Sequence, residues 1–106
     1  MAEEVLIEDW TPGRRLWLKA PSLFSMDVAV EILRWIEDFD DVSIQDDSWK
    51  SFGHGNLTEV GIRVRVSNIR FSIMCSYDDV FISRLAGSSG KFTTLCEAIQ
   101  QKFVTT

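Results

Sequence analysis

The clearest pattern lies in the second half of the chain. Val60, Ile62, Val64 and Val66 alternate with Gly61, Arg63 and Arg65, and after Ser67-Asn68 the alternation resumes at Ile69, Phe71, Ile73 and Cys75. A period of two is the mark of a strand with one buried face. Two such runs joined by two residues predict a tight hairpin. In its register Val66 faces Ile69, Val64 faces Phe71, Ile62 faces Ile73 and Val60 faces Cys75. All of these point to one side, so register and hydrophobic pattern agree. The other side then carries Arg63, Arg65, Arg70, Ser72 and Met74, with Arg65 directly opposite Arg70. Tyr77-Asp78-Asp79 reads as the next turn, and Val80 to Leu85 as the third strand of a meander.

A second hairpin is predicted at the N-terminus. Val5 to Trp10 alternates in part, Thr11-Pro12-Gly13 is a turn signal, and Arg14 to Lys19 places Leu16 and Leu18 on one face and Trp17 on the other. Two shorter segments, Val42–Ile44 and the stretch around Trp49 and Phe52, suggest brief strands, with Gly53-His54-Gly55-Asn56 as a loop.

Two segments carry helical periodicity. The first runs from about residue 26 to about residue 39, capped by Ser25 or Ser22. Asp27, Glu31, Arg34 and Asp38 form one narrow polar stripe on it. The rest of its circumference is apolar, which predicts burial on more than one side, between two elements or against a partner chain. The second runs over about residues 91–103 after a Ser88 or Ser89 cap. Its Phe92, Leu95, Cys96, Ile99 and Phe103 make a single stripe fit for the apolar face of the meander. The expected order is β-β-α-β-β-β-β-α. The class is α+β: an antiparallel sheet, built from the N-terminal hairpin and the C-terminal meander, packed against two helices mainly on one face.

A length of 106 residues is ordinary for one domain, and the whole chain, 1–106, is read as a single α+β domain. No apolar run approaches the roughly 20 residues a membrane helix needs, so no membrane association is expected. The start, Met1-Ala2-Glu3-Glu4, is acidic where a secretory leader would be basic, so a cytoplasmic location is expected. On that expectation the Asn56-Leu57-Thr58 sequon stays unglycosylated. Cys75 and Cys96 lack a C-x-x-C spacing and are expected to be reduced and buried.

Catalytic equipment is sparse. Gly87-Ser88-Ser89-Gly90-Lys91-Phe92-Thr93 resembles a phosphate loop only superficially, because Leu85 stands where the first glycine belongs and Phe92 where magnesium needs Ser or Thr. A capped helix start explains it. His54 is the single histidine and lies between glycines, so no zinc cluster forms around it. The run Asp38-Phe39-Asp40-Asp41-Val42-Ser43 puts Val42 at a calcium-ligand position and has no glycine. Adjacent carboxylates such as Asp78-Asp79 point apart and fit turn chemistry. A non-enzymatic role without metal or cofactor is therefore expected.

Charge changes the picture most. The net charge is −5, yet residues 1–53 hold 12 acids and 5 Lys/Arg (−7), whereas residues 54–106 hold 4 acids and 6 Lys/Arg (+2). Glu37 to Asp47 holds six acids and no Lys or Arg, with Trp35 and Phe39 at its near end and Trp49 after it. An acidic, aromatic-rimmed surface suits docking on a basic protein: charge speeds encounter and aromatics anchor. The expected function is therefore a small acidic protein-binding module of inhibitor, immunity-protein or adaptor type. Asp40, Asp41, Asp46, Asp47 and Trp49 would be its partner-binding residues. The competing reading is nucleic-acid or polyanion binding through Arg63, Arg65 and Arg70. It is disfavoured by a pI near 4.7. The two charge poles and the broadly apolar first helix also favour a homo-oligomer.

Overall fold

A computed structural model describes residues 4–20, 25–44, 50–51 and 60–104. Strands β1 (Leu6–Thr11) and β2 (Arg15–Lys19) form the N-terminal hairpin. Helix α1 (Ser25–Glu37) follows, then the short strands β3 (Val42–Ile44) and β4 (Lys50–Ser51). The meander is β5 (Val60–Val66), β6 (Ile69–Ser76) and β7 (Asp79–Ala86), and α2 (Ser89–Phe103) completes the described chain. The sheet runs β1-β2-β7-β6-β5-β3, and β4 also pairs with β5. Every pairing is antiparallel.

The expected hairpin register is present in full, including Val60↔Cys75, Val64↔Phe71 and Arg65↔Arg70. Its turn residue Ser67 takes a left-handed φ of +53°. The order differs in one respect from expectation. Five strands, not four, separate the helices, because β3 and β4 are separate pieces on the same edge of β5. The residues at Trp49, Phe52 and His54 lie outside the described ones.

The core-facing side of the sheet carries Leu16, Leu18, Val64, Phe71, Ile73, Val80 and Ile82, all almost wholly buried. Each such side chain contributes about 1.5–3 kcal/mol relative to exposure. Both helices lie on this side. From α1 come Val28, Ala29, Ile32, Leu33 and Ile36, and from α2 come Phe92, Leu95, Cys96 and Ile99, all in one cluster with the sheet residues. The Phe71 and Phe92 rings meet at 6.2 Å, and Trp35 meets Phe103 edge-on at 5.6 Å, joining the two helices.

The buried residues of helix α1 follow one stripe, Met26 and Trp35 flank that stripe half-buried, and Val30 is half-buried. The buried stripe faces the sheet and Trp35 reaches Phe103 of α2, so this helix packs against two elements, as its broadly apolar surface predicts. It ends at Glu37, two residues earlier than its apolar pattern implies. The amides of Asp38 and Phe39 turn back to the carbonyls of Trp35 and Ile36, and Asp41 adopts φ +57°.

Helix α2 starts where Ser88 caps it, its hydroxyl accepting from the Lys91 amide at 3.2 Å. Arg84 ties this end of the molecule together. Its Nε donates to the Gly13 carbonyl at 2.7 Å and its Nη1 to the Gly87 carbonyl at 3.0 Å.

Candidate functional site

The helices occupy one side of the sheet, and the opposite side is where polar and aromatic side chains gather. Alternation places Arg15, Trp17 and Lys19 of β2, Phe81 and Ser83 of β7, Arg70, Ser72 and Met74 of β6, and Arg63 and Arg65 of β5 on that open side. The pairing of β2 with β7 sets Trp17 directly across from Phe81, with ring centroids 5.1 Å apart. The Trp17 indole donates to Asp79 Oδ1 at 2.9 Å, and the Arg15 guanidinium lies 5.6 Å from its ring centroid. Lys19 is held protonated above its ordinary range by Asp79 and then Asp78, the nearer carboxylate oxygen being Asp79's, at 3.5 Å.

A β-bulge shapes the far end of this face. Phe71 pairs with Arg84, but the next β6 residue, Arg70, pairs with Ala86, so Leu85 is the extra residue of β7. Leu85 is 54% exposed. Among the described residues it shares a cleft of about 230 Å³ with Ile62, Arg63, Ser72 and Met74. Arg63 stands opposite Ser72, and Arg70 is the next residue of the same face along β6.

The three arginines differ in their engagement. Arg65 Nη1 donates to Asp41 Oδ1 at 3.2 Å and to the Ser67 carbonyl. Arg63 and Arg70 are exposed and make no ion pair among the described residues. The ladder pair Arg65–Arg70 is thereby separated at its charged ends. Asp41 immediately precedes β3, which pairs with β5 through Val42↔Val66 and so brings the carboxylate to the arginine.

Comparison with models of known protein families, with curated proteins and with solved structures gives no match.

Of the acidic residues expected to bind a partner, Asp40 and Asp41 lie exposed between α1 and β3, and Asp41 is taken up by Arg65. Asp46, Asp47 and Trp49 lie outside the described residues. Trp35 and Phe39, expected as the near rim of that surface, pack on each other at 4.8 Å and against the core. The acidic run and the arginine face therefore touch at one corner and are not fully separate poles. Apart from Arg34, the exposed charges of α1 and the turn after it are acidic (Asp27, Glu31, Glu37, Asp38 and Asp40), while the open sheet side carries both signs, its arginines and Lys19 beside Asp79.

Burial pushes the Cys96 thiol up to about 12 and raises Cys75 as well, so neither is a thiolate near neutral pH. Cys75 Sγ lies 3.4 Å from Met26 Sδ. Both cysteines are free and buried. Among the described residues, no group of three His, Cys, Asp or Glu is placed to hold a metal ion. No described helix is long and apolar enough to cross a membrane.

What sequence reasoning missed here is the partnership of Trp17 with Phe81. Each was legible as out of phase with its strand's core residues. Their adjacency depends on β2 pairing with β7, a contact across more than 60 residues that leaves no local trace.

Proposed function

We propose that this chain is a non-enzymatic protein-binding module whose working surface is the open side of the sheet. The supporting observation is the combination on one face of an exposed apolar side chain, Leu85, beside a cleft and two guanidiniums, Arg63 and Arg70, that no described carboxylate neutralises. An interface needs an apolar centre to anchor and charge to orient, and this face supplies both. The acidic run around Asp40, Asp41, Asp46 and Asp47 is a second reading, supported by the exposed Asp40 beyond the end of α1.

One experiment separates the two. The full chain is tagged and used to capture proteins from host lysate with and without nuclease treatment, alongside Arg63→Ser/Arg70→Ser and Asp40→Ser/Asp41→Ser/Asp46→Ser/Asp47→Ser variants. The sheet-face reading expects the partner to be lost with the arginine variant and kept with the aspartate variant. The converse assigns the site to the acidic run. Capture unchanged by both rules out both surfaces, absence of any captured protein overturns the module reading, and capture abolished by nuclease moves the function to nucleic acid.

A further inference from the structure

The cleft on the open sheet face has a chemistry narrower than protein binding in general. Met74 and Leu85 give it an apolar lining, Ser72 a hydroxyl, and Arg63 a guanidinium at its wall. Arg70 lies diagonally from Arg63 across the ladder, at the roughly 7–8 Å Cα spacing of such neighbours. The geometry points to an acidic peptide segment of a partner protein as the occupant, with one aliphatic side chain seated against Leu85 and Met74 and its flanking carboxylates paired with Arg63 and Arg70. This rests on the open face being the working surface.

Three features favour an acidic peptide over the other polyanions. A guanidinium takes a carboxylate in a bidentate fork, and two such sites a ladder diagonal apart suit two carboxylates close together on one short segment. Single-stranded nucleic acid calls for free aromatic platforms and many cations along a groove. Here the Trp17 ring is already engaged by Phe81 at 5.1 Å and by Arg15 at 5.6 Å, so it offers no open stacking surface. Arg65 is likewise occupied by Asp41, leaving two unengaged arginines on this part of the face among the described residues.

The test is fluorescence anisotropy of the full chain with a labelled octapeptide of aspartates around a central leucine. The companion probes are the same peptide with lysines for aspartates, the same with serine for leucine, and a short oligodeoxythymidine. Binding at low salt is expected for the aspartate–leucine peptide alone, weakened by added salt. Arg63→Ser/Arg70→Ser and, separately, Leu85→Asp should each weaken it at least about tenfold. Both substitutions alter exposed side chains, and unchanged urea midpoints establish that the fold is intact. Equal binding of the serine peptide, tighter binding of the oligonucleotide, or full affinity in both variants overturns the assignment. So does a concentration-dependent dimer abolished by Arg63→Ser/Arg70→Ser, which would seat a second copy on the face. If the peptide fails while lysate capture still depends on Arg63 and Arg70, the acidic-peptide assignment falls and the working face stands.

Discussion

Arg65 stands directly across from Arg70 on the β5–β6 ladder, and its guanidinium turns the other way, to Asp41 Oδ1 at 3.2 Å on the neighbouring strand's edge. Two like charges at opposed ladder positions cost a few tenths to about 1 kcal/mol. Asp41 relieves that by drawing one of them aside. The pair is well exposed, 63% for Asp41 and 30% for Arg65, so its own strength is screened. A double-mutant cycle of Asp41→Asn and Arg65→Ser should therefore give a coupling below about 1 kcal/mol in urea unfolding, shrinking as salt is added. A coupling of several kcal/mol would mean the ion pair is far more sheltered than its exposure implies. Because Asn tolerates the left-handed φ of +57° at this position, Asp41→Asn isolates the charge from the backbone.

Gly87 makes a sharper prediction. Its φ is +97°, and a Cβ there would sit 2.4 Å from the Asn68 carbonyl oxygen and 2.9 Å from Ile69 Cα. Backbone stands in the way on both counts, so nothing flexible can yield. Gly87→Ala should cost about 2 kcal/mol or more, read as a lowered urea midpoint. Gly13 also has a positive φ, +81°, but a Cβ there meets the Ser89 side chain at 3.1 Å. Gly13→Ala should be the milder of the two.

The contrast between these local and distant constraints explains what could be read in the chain. The β5–β6 register was legible because alternation and a two-residue turn fix the same pairing twice over. The α2 stripe from Phe92 to Ile99 was legible because its sheet partner demands one helical face. The end of α1 was not: Phe39 continues the apolar pattern, yet the helix ends at Glu37 and the chain reverses through the left-handed Asp41. Which acid would meet Arg65 was also hidden, since the Asp41 contact depends on three residues, Val42–Ile44, choosing the edge of β5. Strand order sets which surfaces adjoin, and the periodicity of each strand alone does not encode it.

Two phenylalanines on opposite sides of the sheet test which side is covered. Phe92 is fully buried against Phe71, so Phe92→Ala should cost about 3–5 kcal/mol. Phe81 is half-buried on the open side beside Trp17, and Phe81→Ala should cost about 1 kcal/mol. Guanidinium chloride unfolding of the two variants gives the comparison directly. Equal losses would place Phe81 under cover and remove the open face as a working surface.

The buried thiols predict how stability depends on alkaline pH. In the fold, burial pushes Cys96 up to about 12 from an ordinary value of 9.0, and burial raises Cys75 too. Below the ordinary value both states keep the proton, and the contribution from these groups does not vary with pH. Above it the unfolded chain releases protons that the native state retains. The unfolded state then binds fewer protons, so unfolding becomes more favourable as pH rises from about 9 toward 12. Urea midpoints measured at pH 8 and pH 10 should fall for the native sequence, and fall less for Cys96→Ala, which loses some packing at both pH values but no longer has that proton to release. A thiol reagent at pH 8 should react with both cysteines only as fast as the chain unfolds, since neither is exposed or ionised in the native state. Rapid labelling of Cys96 in the folded protein would show that the pocket around it opens without global unfolding, and the steep alkaline dependence would then disappear with it.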